Sequence, residues 1–168
     1  MTLSPYLAIS TAAALTSAAV GGLFYAYSTF TMRGLDRLDP RAAIVAMRGI
    51  NAEAQANAPF LVMLLGSALI ALAAGVVAAA RWREPGSWYV LAGAVLALLA
   101  VLVTIAVNVP LNDKLDALDV SALSAADAVR DWGAYLSTWM MANHVRAAAP
   151  LLGSVLLLVG ARHQLADL

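Results

Sequence analysis

The side chains best suited to chemistry lie close together at the start of the last apolar run of this sequence. Trp139 opens the cluster, and Asn143, His144 and Arg146 follow within one helical turn. In helical spacing Trp139, Asn143 and Arg146 share a face. His144 flanks that face. An imidazole exchanges protons near neutral pH, and a guanidinium beside a carboxamide can hold an anion. The cluster is therefore predicted to form a cationic, hydrogen-bonding site at the mouth of a hydrophobic helix.

A second polar stretch lies near the end of the third apolar run. Thr104, Asn108 and Asn112 recur every four residues, so one helical face turns polar there. Pro110 removes a backbone donor and is expected to kink or end the helix. Asp113 follows directly. Because an amide inside an apolar span normally finds a partner there, Asn108 is predicted to bond within the protein.

The elements that position these residues are predicted from hydropathy. Hydrophobic residues make up 62% of the 168 residues and charged residues 12%, which is typical of a membrane protein. Four apolar runs can each cross about 30 Å of hydrocarbon as a helix. Small residues at intervals of four mark the predicted packing face of the first span: Ala14, Ala18, Gly22 and Ala26. We expect one all-α domain over residues 1–168, a four-helix transmembrane bundle with spans near 7–30, 60–80, 88–109 and 139–160.

Composition also excludes several classes of site. The net charge is zero, with ten basic and ten acidic residues, so nothing indicates a nucleic-acid partner. The chain has no cysteine, which excludes disulfides, thiolate metal sites and thiol redox chemistry. Its two histidines, His144 and His163, fall near opposite ends of the fourth span, so one chain cannot build a His-rich metal centre. We expect neither a metal nor a cofactor.

The first long connection is predicted to contain an amphipathic helix. Asp39 before Pro40 is a strong start signal, and apolar residues then recur every three to four positions. The polar residues near its end are interpreted as a solvated helix surface: Asn51, Glu53 and Gln55. Asn57, immediately before the second span, is expected to cap that span or to reach inward.

The third connection is predicted to hold a polar loop and a second amphipathic helix. The segment Ser124–Asp127 resembles a capping box, and the helix that it starts is expected to continue into the fourth span.

With four spans, both long connections and both polar clusters lie on one side of the membrane, where they are predicted to cover a cavity. Seven of the ten Lys and Arg residues belong to that side, so we expect it to face the cytoplasm, at the plasma (inner) membrane.

Four segments resemble the anthrone oxygenase family of small integral membrane proteins. They are Gly21–Ser28, Ala46–Phe60, Asn108–Asp113, and Trp139 with Asn143–Arg146. The Asn-x-Pro-x-Asn and Asn-His-x-Arg patterns, in a chain with four spans, are more specific to the family than to an activity. The resemblance implies a four-helix membrane bundle, and a few fungal polyketide-pathway members are credited with oxidising anthrones to anthraquinones.

The resemblance implies a protein that oxidises a phenolic or polycyclic, anthrone-like aromatic molecule with dioxygen and without a cofactor. Removing a proton from the ring methylene gives an electron-rich anion that can react with dioxygen without a metal. The protein then needs a base, groups that stabilise the oxyanion, and an apolar slot for a planar ring.

On this hypothesis His144 is the base, and Arg146, Asn108 and Asn143 stabilise the anion. The remaining candidates are substrate-binding residues: Phe24, Tyr27, Asn57, Asn112, Asp113 and Trp139.

Two other interpretations stay open. His144 and Arg146 could form an internal network with Asp113 that fixes helix register, or the protein could bind a quinone-like or lipid ligand without catalysis, for example as an accessory subunit. A transporter is disfavoured, because no broken helices pair up across the bundle.

Overall fold

The computed structural model describes residues 4–166, which form five helices and, within that range, no strand. Several boundaries extend beyond the predicted spans, and the last helix includes both the predicted amphipathic helix and the fourth span. In chain order the helices are α1 (Pro5–Leu35), α2 (Pro40–Ala56), α3 (Ala58–Ala80), α4 (Ser87–Asp116) and α5 (Ala125–Ala166).

Four of these helices, α1, α3, α4 and α5, are long and apolar enough to cross a membrane. They form an up-and-down bundle in which α1 and α4 each pack against both α3 and α5. Large apolar side chains cover the outside of the bundle, as Val62, Leu69 and Val76 do on α3, which suits a lipid environment. The predicted all-α, four-helix architecture is confirmed.

Two of the long helices contain a π-helical turn. In α1 it spans Tyr27–Thr31, and in α4 it spans Thr104–Asn108. The second turn closes with a bond from the Val109 N–H to the Thr104 carbonyl, and Pro110 follows in the first turn of regular helix, where a proline is tolerated. The expectation that Pro110 could end the helix is therefore wrong, since α4 continues to Asp116.

The packing face of α1 differs from the predicted one. A Cβ added to Gly21 would lie 2.7 Å from Leu151 Cγ of α5, whereas Gly22, in the predicted stripe, has nothing within 4 Å. Residues four apart in a helix differ in direction by about 40°. A stripe with this spacing therefore winds around the helix and leaves the face that contacts a neighbouring helix. Alternating intervals of three and four keep the buried residues Ser17, Gly21 and Phe24 on it.

Helix α2, which we call the roof, lies across one end of the bundle. Its first turn is capped as predicted, because Asp39 Oδ1 accepts a hydrogen bond from the Arg41 N–H at 3.0 Å. Its apolar face, including Ile44 and Met47, is buried in a cluster with Trp132 of α5. The predicted amphipathic helix is thus confirmed.

The roof is also fastened to the last turn of α4 and to the connection between α4 and α5. Arg48 donates hydrogen bonds to the carbonyls of Leu115, at 2.7 Å, and Leu118, and Arg41 donates one to the carbonyl of Leu123. At the end of this connection Ser124 Oγ accepts a bond from the backbone N–H of the third residue of α5 at 3.1 Å, as the predicted capping box requires.

Candidate functional site

A cavity of about 730 Å³ lies inside the bundle beneath the roof, and all five helices contribute to its lining. This volume falls within the range typical of small-molecule sites, about 300–1,000 Å³. Its walls are mainly apolar: Leu23, Phe24, Met47, Ile50, Phe60, Leu61, Leu64 and Trp139. Polar side chains occur in two places, at the deep end inside the bundle and at the rim beneath the roof.

The deep end of the cavity is formed by Arg146, which is only 5% exposed to solvent. Its guanidinium carbon lies 4.3 Å from the ring centroid of Phe24 and 4.8 Å from that of Trp139. Nη2 donates to Asn143 Oδ1 at 2.7 Å, and Nη1 donates to Thr104 Oγ1 at 3.3 Å. Nε has no partner, and no carboxylate within residues 4–166 forms an ion pair with this guanidinium.

Two buried amides fix the position of the arginine and its neighbours. Asn143 is fully buried, and its Nδ2 donates to the Phe24 carbonyl at 2.9 Å and to Ser28 Oγ at 2.8 Å. Its Oδ1 is then free to accept a hydrogen bond from Arg146. Asn143 therefore links α1 to the guanidinium and fixes its orientation. Asn108, in the π-helical turn of α4, donates to the Trp139 carbonyl at 3.4 Å. Asn108 thus bonds within the protein, as the sequence indicated.

Asn112 connects the rim of the cavity to the aromatic wall of α5. Its Oδ1 accepts hydrogen bonds from the Tyr135 hydroxyl at 2.9 Å and from Trp139 Nε1 at 3.1 Å. The indole ring is therefore held by its polar edge, while its face lies against the Arg146 guanidinium. Tyr27 packs on the same indole with a centroid separation of 5.9 Å.

The rim is also formed where the roof meets α3. Asn57, the single residue between α2 and α3, caps α3 through a bond from the Phe60 N–H to its Oδ1 at 2.9 Å. Its Nδ2 donates to Glu53 Oε1 at 3.1 Å. Asn51 and Gln55 line the same rim. Beneath the roof, the cavity thus offers amides and one carboxylate.

The structure brings together most, but not all, of the predicted site residues. Those that line the cavity are Phe24, Tyr27, Asn57, Asn112, Trp139 and Arg146. Asn108 and Asn143 are buried directly behind this lining. His144 and Asp113 are both exposed and do not line the cavity.

Helix geometry explains why these two neighbours are separated from the site. Each residue advances about 100° around a helix, so His144 points about 160° away from Arg146, and Asp113 about 100° away from Asn112. The His144 Nδ1 lies 3.0 Å from Ser28 Oγ instead. Within the described chain Asp113 forms no ion pair with either side chain. His144 and Arg146 are instead linked through Ser28 and Asn143, so an internal hydrogen-bond network exists without Asp113.

Sequence reasoning missed Thr104 as a partner of Arg146, and it missed Asn51, Glu53 and Gln55 as cavity residues. Glu53 and Gln55 are exposed, as expected for a solvated helix surface, but they also border the cavity. The polar pattern of this segment alone does not show that second role, because it depends on how the roof lies against the bundle.

The chemistry available in the cavity is that of a cation, a carboxylate and a phenol. The titratable lining residues are Arg146, Glu53 and Tyr27. In the part of the chain that the structure describes, no three His, Cys, Asp or Glu residues lie close enough together to hold a metal ion. The arrangement can therefore bind an anion at the deep end and exchange a proton at the rim.

Comparisons with known proteins gave one match. No curated protein and no solved structure matched the chain. The family model described as anthrone oxygenase matches residues 47–156, well over half of the sequence. That region includes the second half of the roof, α3, α4 and α5 as far as Leu156, and with them Glu53, Asn112 and Arg146. The chain belongs to the anthrone oxygenase family.

Proposed function

We propose that this protein oxidises a planar, phenolic, anthrone-like molecule with dioxygen inside the cavity, and that its side chains do so without a cofactor. Membership of the family supports the reaction class. The observation that carries the proposal is the Arg146 guanidinium, which is buried, faces the cavity and has no carboxylate partner within residues 4–166.

A buried cation without a counterion is costly, because desolvation is not offset by an ion pair. Arg146 makes two hydrogen bonds, both to neutral oxygens, and keeps donors for a ligand. An anionic ligand oxygen supplies the missing partner. The anion of an anthrone carries its charge largely on the oxygen of its former carbonyl group, so Arg146 favours the deprotonated substrate over the neutral one.

The shape of the cavity suits a flat aromatic molecule. Asn57 lies at the rim and Leu64 near the deep end, seven positions further along the chain, which corresponds to about 10 Å along the helix. That depth accommodates the short axis of an anthrone, from its carbonyl oxygen to its methylene carbon, with a polar contact at each end. The rings of Phe24 and Trp139 flank the guanidinium, so a planar substrate can reach the cation between apolar walls.

The overall reaction balances with dioxygen as the sole oxidant. The ring methylene loses its two hydrogens and gains one oxygen atom to become a carbonyl group. The second oxygen atom leaves with the two hydrogens as water. The four electrons that dioxygen accepts come from the two C–H bonds of the methylene, so no metal or flavin has to supply electrons.

Turnover in a lipid nanodisc tests the proposal. Wild-type protein should convert anthrone to anthraquinone and consume oxygen faster than protein-free discs. Arg146→Gln should lower kcat/KM by about 100-fold or more, since removing one oxyanion donor has effects of that order. Arg130→Gln, which removes an exposed arginine of the same helix, is the matched control and should match wild type. Wild-type turnover no faster than empty discs, or equal activity of Arg146→Gln, would overturn the proposal.

A second candidate function is binding of a quinone-like or lipid anion without catalysis. It is favoured by one observation, that the imidazole of His144 does not line the cavity. Saturable quenching of tryptophan fluorescence by anthraquinone, together with no turnover of anthrone, would establish this function. Turnover by the wild-type protein would exclude it.

A further inference from the structure

We propose that Glu53 is the base that removes the proton from the substrate methylene, in place of His144. This inference rests on the proposed function and assigns its proton transfer to a residue of the roof. Its starting point is the cavity lining, in which Glu53 is the carboxylate, beside one phenol and one guanidinium.

The three titratable side chains differ in their ability to accept a proton. A phenol and a guanidinium hold their protons at neutral pH, whereas a carboxylate is ionised and acts only as an acceptor. Tyr27 and Arg146 are therefore poor bases in their resting forms. The carboxylate of Glu53 is the group in the lining that can take a proton without first losing one.

The position of Glu53 also fits a base that must be regenerated by water. The residue is exposed, so a proton that it accepts can leave to solvent. Its Oε1 accepts a hydrogen bond from Asn57 Nδ2 at 3.1 Å, which holds the carboxylate at the rim. Arg146, at the other end of the cavity, is 5% exposed. Base and anion-binding group thus occupy opposite ends of one apolar space.

This separation matches the substrate. In an anthrone the carbonyl carbon and the methylene carbon lie on opposite sides of the central ring. Leu64 packs with Phe24 and Ala147 at the level of Arg146, about 10 Å below Asn57 along α3. A ring whose oxygen contacts Arg146 therefore presents its methylene towards the roof, where Glu53 lies.

The proton and electron transfers can be followed atom by atom. Glu53 takes one methylene proton, and the electron pair of that C–H bond delocalises through the ring onto the oxygen at Arg146. Dioxygen then oxidises this anion and bonds to the former methylene carbon as a peroxide, which receives the proton from Glu53. Removal of the second proton by Glu53 forms the C=O double bond and breaks the O–O bond. The outer oxygen leaves as hydroxide and takes that proton from Glu53, which yields water and restores the carboxylate.

Hydrogen exchange in the absence of dioxygen isolates the first of these steps. Anthrone is incubated anaerobically in D2O with protein in nanodiscs, and deuterium incorporation at the methylene is followed by mass spectrometry above the rate in empty discs. Glu53→Gln keeps the shape and the hydrogen bond with Asn57, and should slow exchange by about 100-fold or more. Glu84→Gln, which neutralises a glutamate in the turn at the other end of the bundle, should exchange like wild type.

Thermal unfolding and a conservative variant separate a base from a structural role. Glu53→Gln should lose the catalysed exchange at an unchanged melting temperature, and Glu53→Asp, which keeps a carboxylate, should restore part of it. Full exchange in Glu53→Gln, or its loss in Tyr27→Phe alone, would overturn the assignment. So would wild-type exchange no faster than in empty discs.

The same samples in air distinguish the two proposals. Exchange that depends on Glu53 without formation of anthraquinone would leave Glu53 as the base and refute the oxidation. Formation of anthraquinone at the wild-type rate by Glu53→Gln would support the oxidation and refute the base.

Discussion

At the scale of single residues, adjacent positions in the chain have different environments. Asn143 is fully buried and accepts a hydrogen bond from Arg146, whereas His144, the next residue, is exposed and contacts Ser28. Asn143 does not line the cavity, so its contribution is to position the guanidinium rather than to touch the substrate. Positioning matters because a shift of about 1 Å at a reacting group can lower a rate by about 100-fold.

Substitution of these two neighbours should therefore have opposite results. His144→Ala should retain wild-type turnover of anthrone. Asn143→Ala should lower kcat more than it raises KM, because Arg146 loses its orienting acceptor, and should destabilise the fold by about 1–3 kcal/mol through unpaired buried groups. Turnover kinetics and thermal unfolding in the same nanodiscs measure both effects. Loss of turnover in a stably folded His144→Ala variant would restore the imidazole as a candidate base.

At the scale of helices, the two π-helical turns and the roof shape the cavity. Each π turn inserts one extra residue into a helical turn, which rotates the following residues relative to a regular helix. The turns contribute Tyr27 from α1 and Thr104 from α4 to the lining. Neither turn contains a glycine or a proline, so no local breaker in the sequence predicts them.

The attachment of the roof can be tested through Arg48. Its hydrogen bonds to the carbonyls of Leu115 and Leu118 fasten α2 to the last turn of α4 and to the connection that follows. Arg48→Ala removes charge-assisted bonds, which should lower the free energy of local opening of the roof by on the order of 2 kcal/mol. Amide hydrogen exchange in α2 should then be roughly 30-fold faster, with α3 unchanged.

Arg37→Ala is the control for this experiment, because Arg37 is an exposed arginine next to the roof. It should leave exchange in α2 unaltered. Equal protection of α2 in the wild type and in Arg48→Ala would show that the bonds of Arg48 are not needed to hold the roof in place beside the apolar cluster around Ile44 and Met47.

At the scale of the whole molecule, the bundle is tight at one end and open at the other. Away from the roof, α4 and α5 approach through glycines, and a Cβ added to Gly153 would lie 2.7 Å from the Gly93 carbonyl oxygen. Beyond them the Tyr6 hydroxyl and Ser87 Oγ join α1 to α4 at 3.0 Å. Near the roof large aromatic side chains line the interior instead, so the helices cannot approach as closely and a cavity remains.

A matched pair of glycine substitutions tests this description. Gly153→Ala should lower the stability of the bundle by about 1–3 kcal/mol, because the new methyl group meets backbone rather than a flexible side chain. Gly66→Ala, in α3, meets nothing within 4 Å and should be neutral or should stabilise the helix by about 1 kcal/mol. Thermal unfolding in detergent compares the two. A melting temperature of Gly153→Ala at or above that of Gly66→Ala would contradict close packing of α4 on α5.

Much of the architecture follows from the sequence alone, because it depends on neighbours in the chain. Apolar runs long enough to cross hydrocarbon predict the four long helices, and the caps at Asp39 and Ser124 predict where α2 and α5 begin. The alternation of spans places the polar residues at one end of the bundle. The family resemblance drawn from short motifs also agrees with the family model.

Only the tertiary structure decides which of these polar residues face the cavity. Arg146 points inward and His144 outward, and Glu53, although exposed, borders the cavity at its rim. These orientations depend on the rotation of each helix about its axis, which is set by contacts between residues far apart in the chain, such as Asn143 with Phe24 and Arg48 with Leu115. Because one residue changes the direction of a side chain by about 100°, spacing along a single helix cannot determine which side its partners occupy.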